Sequence, residues 1–197
     1  MIKRDQVISV LSVSIFLILL QSCGYKSDNQ MTSEKSTSTL MPSLSNTSTD
    51  TLADRYIEKE GGFSYIPPNG WRVMELLPLK YKIIEIVTNS KLAPFIYFDD
   101  EISNRSLDEY AEIVSKEFIQ VHKETSIISQ GYFITIEGQQ GLKVVYSDVQ
   151  NELHLYQINY YFSNGERKLV AIYSRVIDQD QNLDNIVDYC MKTIRFE

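Results

Sequence analysis

The chain has 197 residues, 19 Lys and Arg against 26 Asp and Glu, and a formal net charge of −7. So acidic a chain is a poor binder of nucleic acid, because phosphate contacts need clustered Lys and Arg, and anionic lipid repels it. Its two cysteines cannot build a disulfide framework, so any folded domain depends on its core.

In chain order, Lys3 and Arg4 give a short basic start, and Val7 to Leu20 is an unbroken run of apolar residues and small serines. A spanning helix needs roughly 20 apolar residues, so this shorter run reads as the hydrophobic part of a secretory signal. It ends in Leu20-Gln21-Ser22-Cys23. An aliphatic residue, two intervening residues and a Cys at this place resemble a bacterial lipoprotein signal. The resemblance implies a diacylglyceryl thioether on Cys23, carrying palmitate-type chains, and cleavage just before it. The other reading is an ordinary signal peptide with an incidental Cys. One acyl chain holds a protein to a bilayer only marginally, whereas two chains on one sulfur anchor it stably. Loss of residues 1–22 removes Lys3, Arg4 and Asp5 and takes the formal charge from −7 to −8.

Residues 23–53 read as a lipidated tether. From Ser27 to Thr51, 13 of 25 residues are Ser or Thr and none is aromatic. Such a segment has too little apolar surface to offset the entropy of ordering it. It reads as a spacer between membrane and cargo.

Residues 54–197 read as one globular domain rich in Tyr, Phe, Ile and Val. Gly61 to Pro67 is a short strand stopped by Pro67-Pro68-Asn69-Gly70, a strong turn signal. Trp71 to Glu75, Tyr81 to Thr88 and Ala93 to Phe98 follow as strands. Ser106-Leu107-Asp108-Glu109 is a capping box. It opens an amphipathic helix with Leu107, Tyr110, Ala111, Val114, Phe118 and Val121 on its apolar stripe and Asp108, Glu112, Ser115 and Lys116 on its polar face. Ser126 to Glu137 and Leu142 to Ser147 are strands. Glu152 to Phe162 carries Tyr156, Ile158, Tyr160 and Phe162 on one face and Leu153, Leu155 and Tyr161 on the other, the pattern of a strand covered on both sides. Asn164-Gly165 is a hairpin turn pair, and Lys168 to Ile177 pairs back. Asp178-Gln179-Asp180 opens a last helix with Leu183, Ile186, Val187, Cys190 and Met191 buried, and Ile194-Arg195-Phe196 closes as a strand. This order predicts an α+β fold with an antiparallel sheet and helices on its faces.

Phe63-x-Tyr65-x-Pro67-x-x-Gly70-Trp71 at the front carries a resemblance to the PsbP-like family. So do the helix opened by Ser106-Leu107-Asp108-Glu109-Tyr110, the passage Gly138 to Tyr146, and a C-terminal helix closing on Arg195-Phe196. The resemblance spans roughly residues 55 to 197. It implies an α/β/α sandwich around a central antiparallel sheet, and no catalysis. The family's namesake is an extrinsic protein of the oxygen-evolving photosystem on the lumenal side of the thylakoid, and its cyanobacterial relatives are lipoproteins. The expected partners are a membrane, held through the lipid, and a membrane protein complex, with photosystem II among the candidates. The expected place is the extracytoplasmic face of a bacterial membrane. An envelope lipoprotein binding a small apolar ligand is the alternative.

Motifs of catalysis are absent from the sequence: no nucleophile elbow, phosphate loop, dinucleotide fingerprint or zinc-helix pair occurs. No catalytic residue, metal ligand or cofactor is assigned. His122, at a helix end, and His154, within a strand, read as satisfied or exposed. Asp99-Asp100-Glu101 is the one stretch that would suit Ca²⁺. Adjacent side chains on an extended chain diverge, however, and a solvated loop is the simpler reading. Asp178, Asp180 and Asp184 read as helix-dipole partners, and Cys190 as a buried thiol rather than a reactive one. Tyr156, Tyr160, Tyr161 and Tyr173 read as packing residues, with an aromatic ligand groove as the alternative.

Overall fold

A computed structural model describes residues 54–76, 79–86, 93–150 and 152–197. The signal, Cys23 and the tether lie outside the described residues.

The first helix, α1 (Leu107–Val121), starts where the capping box requires. Ser106 Oγ accepts from Glu109 N at 3.3 Å, and the Glu109 carboxylate accepts from Ser106 N at 3.0 Å. Two amides that a helix start leaves orphaned are thus satisfied. The second helix, α2 (Asn182–Lys192), begins at Gln181 without a side-chain cap. Asp180 Oδ1 instead accepts from Asn182 N at 2.9 Å.

Strands β3 (Trp71–Met74), β4 (Ile83–Ile86), β5 (Phe95–Ile102), β6 (Ser126–Ile134), β7 (Gln140–Gln150), β8 (Leu153–Asn164) and β9 (Arg167–Val176) form one sheet. Its order is β3-β4-β5-β9-β8-β7-β6, antiparallel throughout. A second sheet has the order β1 (Tyr56–Glu58), β2 (Phe63–Tyr65), β10 (Arg195–Phe196). The period-2 alternation of side chains separates the faces of the large sheet. Ile158, Tyr160 and Phe162 of β8, with Leu169, Ala171 and Tyr173 of β9, pack with Val187, Cys190 and Met191 of α2. Phe63 and Tyr65 of the small sheet join that core, with ring centroids 5.1 and 5.0 Å from Phe98. On the opposite face, Tyr146 and Tyr161 meet Phe118 and Tyr110 of α1 edge-on. The result is α1, then the sheet, then α2 with the small sheet.

Two glycines matter to this frame. Asn164 and Arg167 are paired, so the β8–β9 loop is Gly165-Glu166, and Gly165 alone takes positive φ (61°). That is the pattern of a turn with Gly at its first central position. Asn164 ends the strand rather than sharing the turn, a one-residue correction to the sequence reading. A Cβ on Gly141 would lie 2.4 Å from the Phe133 ring, whose far end occupies the space a side chain would need.

Three further expectations change. Asp99, Asp100 and Glu101 are not a loop but part of β5, because each pairs with β9 (Asp99 with Val170, Asp100 with Leu169, Glu101 with Lys168). Ser115 leaves the polar face of α1: it is buried and its Oγ lies 2.7 Å from the Tyr146 hydroxyl. Ile186 and Val121, expected in apolar stripes, are exposed. The turn of the helix past Val187 and Phe118, the residues that reach the sheet, carries both outward.

Candidate functional site

A cleft of about 470 Å³ opens between the β1–β2 hairpin and residues 75–76 and 79–82. Tyr56 and Ile57 line it from the hairpin, and Leu76, Leu79, Lys80 and Tyr81 from the other side. Tyr81 is held there by burial, with its ring edge-on to Phe63 at 5.5 Å.

Under the cleft sits an ion cluster that ties three parts of the fold together. Asp100 projects from β5 on the α2 side. Lys80 Nζ donates to Oδ1, Tyr81 Oη donates to the same oxygen at 2.7 Å, and Arg167 Nε donates to Oδ2 at 2.8 Å. Burial raises the affinity of the Asp100 carboxyl for a proton, but the three donors outweigh it and hold the group below its usual range. Arg167 also donates to Glu60 O at 3.4 Å, and so clamps the hairpin that forms the cleft wall. Lys82 lies 3.6 Å from Glu75 and 5.6 Å from the centre of the Tyr56 ring. The lining therefore alternates acids, lysines and apolar groups, with no His, Cys, Ser or Thr. Such a surface can hold an amphiphilic guest by apolar contact and by its charged rim.

The residues singled out in the sequence do not meet at this cleft, apart from Asp100. Asp99 and Glu101 point to the α1 side of the sheet. There burial, reinforced by the neighbouring Asp100, pushes the Asp99 carboxyl up to about 6, against the pull of the Asp100 backbone N–H. Among the described residues no group of three or more His, Cys, Asp or Glu is placed to hold a metal ion.

His122 caps α1 and stacks on Phe118 at 4.5 Å. Its Nδ1 is 3.5 Å from Oδ2 of the wholly buried Asp148, and its Nε2 is buried with no hydrogen-bond partner. It is neither exposed nor fully satisfied. Burial holds the imidazole below its usual range, opposed by Asp148. His154 is exposed on β8. Cys190 is buried on α2, and burial pushes its thiol up, away from the reactive thiolate.

Of the four tyrosines, Tyr160 donates to Asp188, Tyr173 packs 6.5 Å from Trp71, and Tyr156 lies under the Arg175 guanidinium at 4.3 Å. Tyr161 belongs to a buried chain running Gln157, Asn159, Tyr161, Tyr146, Ser115, with successive contacts of 3.0, 3.1, 3.3 and 2.7 Å. None of the four lines the cleft. Asp184 does more than favour a helix start. Both its oxygens accept from the buried Arg175, at 2.8 Å each.

Sequence reasoning missed Lys80, Tyr81 and Arg167. The tyrosine and the arginine lie 19 and 67 positions from Asp100, and no local pattern marks them. The one available signal was an acidic run inside a strand, where a buried carboxylate needs a cation.

No family model and no curated protein sequence matches the chain. Solved structures do match. The solution structure of the cyanobacterial PsbP (CyanoP) from Synechocystis sp. PCC 6803 superposes with a TM-score of 0.57 at 12% identity, over 78% of this chain and 99% of that one. The fold is PsbP-like. LpqN, involved in cell envelope biogenesis of Mycobacterium tuberculosis, gives 0.55 at 12% identity over 72% and 88% of the two chains. The Ran-binding protein Mog1p of Saccharomyces cerevisiae gives 0.52 at 9% identity over 73% and 94%. Three proteins with such different descriptions share one frame, so the PsbP-like fold by itself does not choose among their activities.

Proposed function

We propose that this chain is a lipid-anchored, non-enzymatic lipoprotein of a bacterial envelope, whose PsbP-like domain docks on a membrane protein complex. The observation that carries this reading is Leu20-Gln21-Ser22-Cys23 at the end of a short apolar run, followed by a Ser/Thr-rich spacer. A diacylated Cys23 anchors without a spanning helix, and no helix among the described residues is long and apolar enough to cross a membrane. The likeness to CyanoP and LpqN supports an extracytoplasmic place. In a photosynthetic host the favoured complex is photosystem II; elsewhere it is an assembly of the cell envelope.

The test is Cys23→Ser in cells fed labelled palmitate. The natural chain takes up label and sediments with membranes, while the variant loses both. Equal labelling of the two chains removes the anchor and the proposal with it.

The cleft favours a second reading, a lipoprotein that binds a small amphiphile between Tyr56 and Leu79. A ligand that binds only the folded state raises the melting temperature. Screening with medium-chain fatty acids and their amines should therefore raise it for the natural chain and not for Leu79→Lys. No shift with any of them rejects this second reading.

A further inference from the structure

The two ends of the large sheet are finished differently. Strand β3, at one end, has four residues, and its Arg72 is paired with Glu85 of β4. A short, charged edge is the usual protection against unwanted pairing. Strand β6, at the other end, has nine residues, Ser-Ile-Ile-Ser-Gln-Gly-Tyr-Phe-Ile, with no charge and no proline. Its inner side pairs with β7, and among the described residues nothing pairs with its outer side. Ile127, Ile128, Tyr132 and Ile134 are 44–59% exposed. At the centre Gly131 has nothing within 4 Å of where a Cβ would be, so no side chain screens the backbone there. An apolar edge of this length, with unpaired amides and carbonyls, is a template for another strand.

We infer that β6 is a self-pairing surface, on which a second copy of this chain adds its own β6 antiparallel about a two-fold axis. Charge decides between occupants and directions. The described chain is acidic on balance, so two copies repel except across a neutral strip, and β6 is such a strip. The exposed Lys123 and Glu124 lie just before it and the exposed Glu137 just after. Antiparallel pairing about the strand's midpoint, Gln130, brings the turn that carries Lys123 and Glu124 of each copy to the end of the strip where the turn carrying Glu137 of the other lies, twice by symmetry. Parallel pairing would set Glu137 against Glu137. The same antiparallel register lays the Ile127–Ile128 end of one copy against the Tyr132–Ile134 end of the other. The register shift between Ile127 and Ser129 lies near one end and leaves Ser129 to Ile134 regular.

Directly opposed residues of an antiparallel pair have Cβ atoms about 4.5–5.5 Å apart. The experiment is therefore Gln130→Cys in the full chain, treated in membranes with a short bismaleimide, beside the natural chain and Arg72→Cys on the opposite edge. A crosslinked homodimer should appear with Gln130→Cys alone. Adding Tyr132→Lys, an exposed substitution that leaves the core intact, should remove it. A Gln130→Cys dimer no stronger than in the natural chain or in Arg72→Cys overturns the inference. So does a crosslinked product whose second component is a different protein.

Discussion

Asp99 and Asp100 are neighbours on β5, yet the sheet sends them to opposite environments and their acidities part. Asp100 meets Lys80, Tyr81 and Arg167 and stays ionised. Asp99 is half-buried with no cation bonded to it, and its carboxyl rises to about 6. An unfolded Asp titrates near 3.9. Below about pH 4 both states are protonated and the group costs nothing; the cost grows as pH rises from about 4 to 6 and is complete above that. Asp99→Asn keeps an oxygen to accept from the Asp100 N–H. It should therefore stabilise the domain by about 1–3 kcal/mol at pH 7.5 and give no gain at pH 3.5. Urea titrations at the two pH values read this directly, and an equal gain at both would contradict it. The alternation that separates the two aspartates was legible in the sequence. The strand that imposes it was read one segment short, because three adjacent acids look like a loop until β9 is beside them.

At the scale of elements, α2 is fixed to the sheet by an ion pair as well as by its apolar stripe. Arg175 of β9 is buried, and besides Asp184 it donates to the carbonyls of Val176 and Ile177 at 3.2 and 2.9 Å. If Asp184 served the helix dipole alone, Asp184→Ala would cost about 0.5 kcal/mol. As the partner of a buried guanidinium its loss should cost about 3 kcal/mol, and thermal or urea unfolding separates the two. The stripe Leu183, Val187, Cys190, Met191 was readable from spacing, as were both bonds of the α1 capping box. The pairing with Arg175 was not. Nothing in a strand's alternation tells which polar side chain will be covered and which will face water. The buried chain from Gln157 to Ser115 shows the same limit: the sequence placed Tyr161 on the face of β8 opposite Tyr160, but nothing in it marked Gln157 and Asn159 as buried. The candidate cleft was hidden for a related reason. Strand β1, one of its walls, is three residues long, too short for any periodicity to register.

For the molecule as a whole, the consecutive hairpins β6–β7, β7–β8 and β8–β9 follow chain order and were legible from turn residues and alternation. What joins the front of the chain to them was not. Strand β5 pairs with β9 rather than with a sequence neighbour, Phe95 opposite Ser174 and Ile102 opposite Arg167. Phe196 of β10 pairs with Phe63 of β2. A ribosome or a translocation channel releases these partners in order, first residue first. Strands β2 and β5 find one partner nearby, in β1 and β4, but each must wait for its second until β10 and β9 have emerged, because long-range pairing is slow and comes late. A chain built this way can form its hairpins as they appear, but the seam that closes its large sheet is stitched last.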